Sequence, residues 1–225
     1  MEFDSFVLAA ATADLREEHA ARDHADAIEY RLDLAKDGME PLHEYDGETP
    51  LIVTNRVEWE GGQTPDRPER LDALETAVEQ DAVEAIDVEL AAIQDGEAQR
   101  VVDYAAKHDV AVIVSTHDFE ATPDRDRLEE LLRQASEHGD VGKLAVTAES
   151  ADDVLDLLAA TRGRTVAGDT IATMAMGEAG RHSRAVAPLY GSKIGYAPVD
   201  PANATAPGQY DLATLRELVT QLQQR

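Results

Sequence analysis

A chain of 225 residues can bury a full hydrophobic core as one large domain or two small ones. Its 46 acidic against 20 basic residues give a formal charge of -26, which repels nucleic acid and anionic membranes as partners. Cysteine is absent, so disulfides and thiolate metal sites are excluded, and no window approaches the roughly 18 apolar residues of a membrane span.

The N-terminus, MEFDSFVLAAATADL, carries no basic stretch and too short an apolar run for a signal peptide, so a cytoplasmic location is expected. Acidic residues are dispersed along helical stretches such as LREEH, LEELL and ADDVLDL. Lysine occurs only at Lys36, Lys107, Lys143 and Lys193, with arginine preferred elsewhere. That pattern points to a host rich in salt, where the screening length shrinks to roughly 3 Å at 1 M and self-repulsion is damped.

Short runs rich in Val, Ile, Ala and Thr alternate with amphipathic stretches. The predicted strands are 6–12, 27–34, 50–57, 82–90, 110–118, 141–148, 165–176 and 191–199. Helices are predicted between them over ERLDALETAVEQ, EAQRVVDYAAKH, DRLEELLRQASEHG and ADDVLDLLAATRG, with DLATLRELVTQLQQ closing the chain. Ser150 suits an N-cap, and Gly139 and Gly163 suit C-caps. Alternation of strand and helix implies a parallel sheet with crossover helices. Eight units of about 28 residues fit a single-domain (β/α)8 TIM barrel over residues 1–225, in the α/β class. A doubly wound sheet would carry a glycine-rich phosphate loop after its first strand, and AAATADL has none.

A barrel strand has no solvent face, which gives charged residues within strands a meaning. In AIEYRLDL, Glu29, Arg31 and Asp33 share one face and Ile28, Tyr30, Leu32 and Leu34 the other, so the charged set is expected to point inward. Asp87 and Glu89 follow the same logic. Buried charges need partners, and Glu29, Arg31, Arg56 and Glu89 could satisfy one another. Catalysis on this fold gathers at the C-terminal ends of the strands. The residues expected there are Arg56 and Glu60 in TNRVEWEGG, His117 in STHDFEATP, Lys143, Arg184 in GRHSR and Gln209 in the last loop. They suit an anionic carbonyl compound and proton transfer, with no metal and no cofactor.

Lys143 sits among Val, Leu and Ala in VGKLAVTAE, where charge is costly. Burial near arginines would favour the neutral amine that attacks a carbonyl, which makes it a candidate Schiff-base residue. The plainer alternative is a structural ion pair with Glu29 or Glu89. His117, at the end of the fifth strand, is the candidate general acid and base, and only His182 competes among the other histidines.

These segments resemble the type I 3-dehydroquinate dehydratases. EYRLD resembles that family's E-x-R-x-D strand, TNRVEWEGG its T-x-R-x-x-x-E-G-G segment and STHDFEATP its S-x-H-D-F-x-x-T-P. GKLAV carries its lysine, and MAMGEAGRHSR followed by APGQ matches its closing signature. The resemblance implies syn elimination of water from 3-dehydroquinate, giving 3-dehydroshikimate on the route to aromatic amino acids. It assigns the imine to Lys143, proton transfer to His117 and support of His117 to Glu60. Substrate contacts would come from Glu29, Arg31, Arg56, Arg184, Gln209 and Thr205, which stands where many relatives have Ser. LAAAT lacks the family's usual polar residue in the first strand. Arg31, Arg56 and Arg184 would form a positive pocket against the chain's overall charge, and DPANATAPGQ reads as a lid over the barrel mouth or equally as a rigid turn. A homodimer is expected. The rival readings are another Schiff-base lyase or aldolase barrel and a barrel that binds a small molecule without catalysis.

Overall fold

The computed structural model describes residues 1–200, 202, 206 and 208–224. Eight strands form its centre: β1 (Val7–Thr12), β2 (Ala27–Arg31), β3 (Leu51–Thr54), β4 (Val83–Glu89), β5 (Ala111–Asp118), β6 (Val141–Thr147), β7 (Ile171–Met176) and β8 (Ile194–Pro198). Neighbouring strands pair in parallel in the order β7-β6-β5-β4-β3-β2-β1-β8. The remaining seam, between β7 and β8, is joined by backbone and side chain together. Lys193 N donates to Ile171 O at 2.7 Å, and Thr173 N to the buried Ser192 Oγ at 2.9 Å. The result is the expected (β/α)8 barrel.

Helices surround it: α1 (Glu18–Ala21), α2 (Glu40–His43), α3 (Pro68–Val78), α4 (Leu90–Gln94), α5 (Gln99–Lys107), α6 (Arg125–His138), α7 (Ala151–Ala167), α8 (Gly177–Gly180), α9 (Ser183–Tyr190) and α10 (Leu212–Gln223). Strand alternation sorts the apolar residues into two cores. Leu8, Ile28, Tyr30, Val53, Ile86, Val88, Val112, Val114, Leu144 and Val146 pack outward against the helices. Ala9, Ile52, Ala85, Ile113, Val141, Met174, Ile194 and Tyr196 fill the barrel. Pairing every backbone group in the ladder while both faces lie dry is what a parallel barrel requires of its Val- and Ile-rich strands.

Local signals hold at several ends. Ser150 caps α7 in a reciprocal capping box with Asp153. Gly139 ends α6 as expected, though with extended backbone (φ -151). Glycine is needed there because a Cβ would meet Val112 O at 2.6 Å.

Three expectations need correction. Helix α7 runs through Gly163 and ends at Gly168, whose φ of 102 is the left-handed value that glycine permits. The seventh strand therefore starts at Ile171, and TVA belongs to the helix. Its β-branched residues are accommodated there: Thr165 Oγ1 donates to Thr161 O at 2.9 Å, and Val166 faces solvent. Finally, β2 stops at Arg31 and Asp33 lies in the following turn.

Candidate active site

The strands deliver their polar residues to one end of the barrel. Lys143 projects from β6, level with Ser115 on β5, and both are buried. The Lys143 Nζ donates to Asp87 Oδ2 of β4 at 2.8 Å. Arg56 follows β3 and reaches the other oxygen of that carboxylate, Nη2 to Oδ1, at 2.6 Å. Its Nη1 lies 3.0 Å from Glu89 Oε1 and 3.1 Å from Glu60 Oε2. Glu89 is held in turn by Arg70 of α3, Nη1 to Oε2 at 2.6 Å, and accepts from Val57 N at 3.2 Å. Charges this deeply buried persist because each is paired and hydrogen-bonded.

Glu60 and His117 face each other across the rim. Glu60 closes a short 3₁₀ turn, and Gly61 (φ 80) ends it in the left-handed region. Gly62 then folds back so closely that a Cβ would meet Arg56 O at 1.9 Å. This turn brings Glu60 Oε1 to His117 N at 3.2 Å and Oε2 to His117 Nδ1 at 3.4 Å. The second contact is longer than a good hydrogen bond.

Burial and neighbours set the charges apart. Burial pushes the Glu60 carboxyl up to about 7 despite the nearby Arg56. Burial, reinforced by the Arg56 and Lys143 cations, pushes the His117 imidazole well below its usual value, so it is neutral near pH 7. Burial opposes ionisation of Asp87 too, yet Arg56 and Lys143 outweigh it and hold that carboxyl well below the usual range. Arg184, from α9, is brought down to about 10 by burial alone.

A pocket opens on these groups. Glu29, Arg31, Arg56, Glu60, His117, Lys143, Arg184 and Gln209 all line it. Thr205, with Pro201, Asn203, Ala204 and Pro207 of the DPANATAPGQ segment, lies outside the described residues, and so does the lid expectation. His182 is exposed at the start of α9 and does not line the pocket.

Of the expected mutual pairing, Arg56 with Glu89 is present, and the other partners differ. Arg31 makes a two-pronged pair with Asp33, at 2.9 and 2.7 Å. Glu29 accepts from Thr54 Oγ1 at 2.8 Å. The lysine's partner is Asp87, and neither Glu29 nor Glu89, which the structural alternative had named. Arg31 and Arg56 are thus already matched by carboxylates, which reduces their part in a positive pocket. Alternation had turned Asp87 inward, but nothing in the sequence linked it to β6. Also unanticipated are Ser115, Tyr196 and Arg70. Ser115 and Tyr196 occupy inward positions of their strands, a signal available from period two, whereas Arg70 reaches in from a helix and carries no such signal. Among the described residues, no group of three or more His, Asp or Glu converges as a metal site.

A family model for type I 3-dehydroquinase matches residues 6–225. The 3-dehydroquinate dehydratase of Haloarcula marismortui is 60% identical over 226 residues, spanning 99% of this chain and 99% of that protein. That of Halobacterium salinarum is 47% identical, over 99% of this chain and 100% of that one. Among solved structures, the 3-dehydroquinate dehydratase of Geobacillus kaustophilus matches with TM-score 0.87 and 30% identity, covering 98% of this chain and 92% of that chain. The type I enzyme of Clostridium difficile, solved with covalently modified comenic acid, also matches with TM-score 0.87, at 28% identity over 97% of this chain and 92% of that one.

Proposed function

The chain belongs to the type I 3-dehydroquinase family, and from that premise we propose that it removes water from 3-dehydroquinate through an imine at Lys143. The observation that carries this reading is the buried lysine, 2.8 Å from Asp87, in a pocket that also presents a neutral histidine. A lysine needed only for structure gains nothing from lining a pocket beside a proton-transfer group.

The steps follow from the groups present. The Lys143 ammonium passes a proton to His117 and the freed amine attacks the C3 carbonyl; His117 returns the proton to that oxygen, which leaves as water and gives a protonated imine. His117, neutral near pH 7, accepts the C2 proton, and the electron pair moves into the imine to give an enamine. The enamine then expels the C1 hydroxyl, which takes a proton from His117 and departs as water. Hydrolysis of the conjugated imine returns Lys143 and releases the enone, 3-dehydroshikimate. One base serving both proton transfers matches a syn elimination. Glu60 orients the imidazole from its Nδ1 side and steadies its cationic form. Arg184 and Gln209, with Thr205, hold the carboxylate and hydroxyls, while Glu29, Arg31 and Arg56 form the polar wall that orients the ring.

The test is direct. Purified protein mixed with 3-dehydroquinate in concentrated salt is expected to generate the ultraviolet absorbance of a conjugated enone, and Lys143→Ala is expected to abolish it. A folded protein that leaves 3-dehydroquinate unchanged would move the reading to another carbonyl substrate.

The proposal extends to setting. Net charge of -26 and the relatives in Haloarcula marismortui and Halobacterium salinarum support work in a salt-rich cytoplasm. No helix among the described residues is long and apolar enough to cross a membrane. Assembly as a homodimer is part of the same proposal, and light scattering on a sizing column in high salt decides it.

A further inference from the structure

Tyr196 belongs to the inward face of β8 and is 4% exposed. Its ring faces Lys143: Nζ stands 4.2 Å from the ring centroid, within the range of an attractive contact between a cation and an aromatic face. Asp87 holds the same nitrogen by a hydrogen bond of 2.8 Å. The amine is therefore gripped by a carboxylate and by a π face, both buried. Such a contact strengthens when water is excluded, because no solvent competes for the cation.

We propose that Tyr196 is a further catalytic residue, whose ring face keeps the nitrogen of the Lys143 imine in its protonated form. The inference rests on the imine reading above. Protonation matters because only the cationic imine withdraws electrons strongly from the neighbouring carbon. As C2 loses its proton, the nitrogen's charge is neutralised by the arriving electron pair, so the ring secures the starting cation and leaves the base to His117. The phenol itself is dispensable in this role. Its oxygen is buried and, among the described residues, makes no hydrogen bond. Burial, with Glu29 and Asp87 nearby, keeps it protonated well above the usual tyrosine range.

Other charges act on the nitrogen too. Asp87 comes from β4, His117 from β5, Arg56 and Glu60 from the segment after β3, while Glu29 of β2 lies toward the ring. The inner positions of β7, Ala172, Met174 and Met176, contribute no charge. A test must therefore vary the ring and leave the rest in place.

Three replacements do so: Tyr196→Phe keeps the ring, Tyr196→Met removes it with little loss of volume, and pentafluorophenylalanine at position 196 keeps the shape but reverses the ring's electrostatics. The readouts are the pH dependence of kcat and the rate of trapping at Lys143 by cyanoborohydride, which reduces protonated imines preferentially. Tyr196→Phe is expected to keep the basic limb where the parent has it. In the other two the basic limb is expected to move down by about one pH unit, with trapping lost in parallel. The fluorinated ring fits the site, so the comparison survives if Tyr196→Met fails to fold. An unmoved basic limb in the fluorinated protein, with trapping intact in the parent, overturns the role of Tyr196 alone. Loss in Tyr196→Phe equal to that in the fluorinated protein overturns it as well, by pointing to the hydroxyl. No trapping in the parent overturns the imine and this inference together.

Discussion

Asp87 joins Lys143 to Arg56: one carboxylate oxygen lies 2.8 Å from the lysine Nζ and the other 2.6 Å from the arginine Nη2. A single anion thus fixes the position of the amine and ties it to the cluster that holds Glu60 and Glu89. Ser115 Oγ adds a third contact to it at 2.6 Å. Replacing this anion with a neutral amide, Asp87→Asn, leaves two buried cations facing one dipole. Unfolding free energy is expected to fall by about 3 kcal/mol, the scale for breaking a buried pair. Turnover should drop about 100-fold as Nζ loses its position. Denaturant titration and steady-state kinetics measure both, and unchanged turnover would show that Asp87 does not place the amine.

Glu60 makes stability depend on pH in a specific direction. Its carboxyl is raised to about 7 in the folded state. A raised group favours folding fully below the ordinary carboxylate range and loses that contribution as pH rises through its folded value. Glu60→Gln removes the dependence, so parent stability relative to the variant should decline between about pH 4.5 and 8, by roughly 3 kcal/mol. His117 has the opposite sign. Its lowered value stabilises above the usual histidine range and is lost as pH falls. Unfolding curves across pH test the pair, and parallel profiles for parent and Glu60→Gln contradict the burial effect.

Arg184 is buried at the pocket, and burial brings it down to about 10, a cost compatible with a binding role. Arg184→Ala should raise KM about 100-fold, the scale of a charge-assisted contact, with a smaller effect on kcat. Arg184→Lys should recover part of the loss. An unchanged KM removes the arginine from substrate binding.

Arg70 lies outside the barrel lining and yet holds Glu89 at 2.6 Å and Asn55 O at 3.2 Å. Arg70→Met is expected to destabilise the fold by about 3 kcal/mol, because Glu89 would then share Arg56 with Asp87 and Glu60. Thermal unfolding measures this, and a loss below about 0.5 kcal/mol would show that Arg56 alone satisfies Glu89.

The fold was legible because strand and helix alternate without interruption, and because charged residues at period two have no place on a parallel barrel except inside. Glu29, Arg31, Asp87 and Glu89 announced themselves that way. Strand ends were less legible: Thr165 and Val166 read as strand by type, while a hydroxyl bond back to Thr161 and exposure let the helix keep them. Pairings were the least legible. Alternation says which way Asp87 points, but which cation it meets depends on barrel closure and register, and Arg70 enters from a helix whose own pattern only marks a buried position. The pocket residues drawn from the family motifs came together at one rim, apart from Thr205, which lies outside the described residues.

The central claim is that Lys143 forms an imine with the substrate. The most direct measurement is mass spectrometry after sodium borohydride reduction of the protein with 3-dehydroquinate in concentrated salt. The account predicts a covalent adduct mapped to Lys143, retained in Glu60→Gln and absent from Lys143→Ala. Consumption of 3-dehydroquinate without any adduct at Lys143 would contradict it.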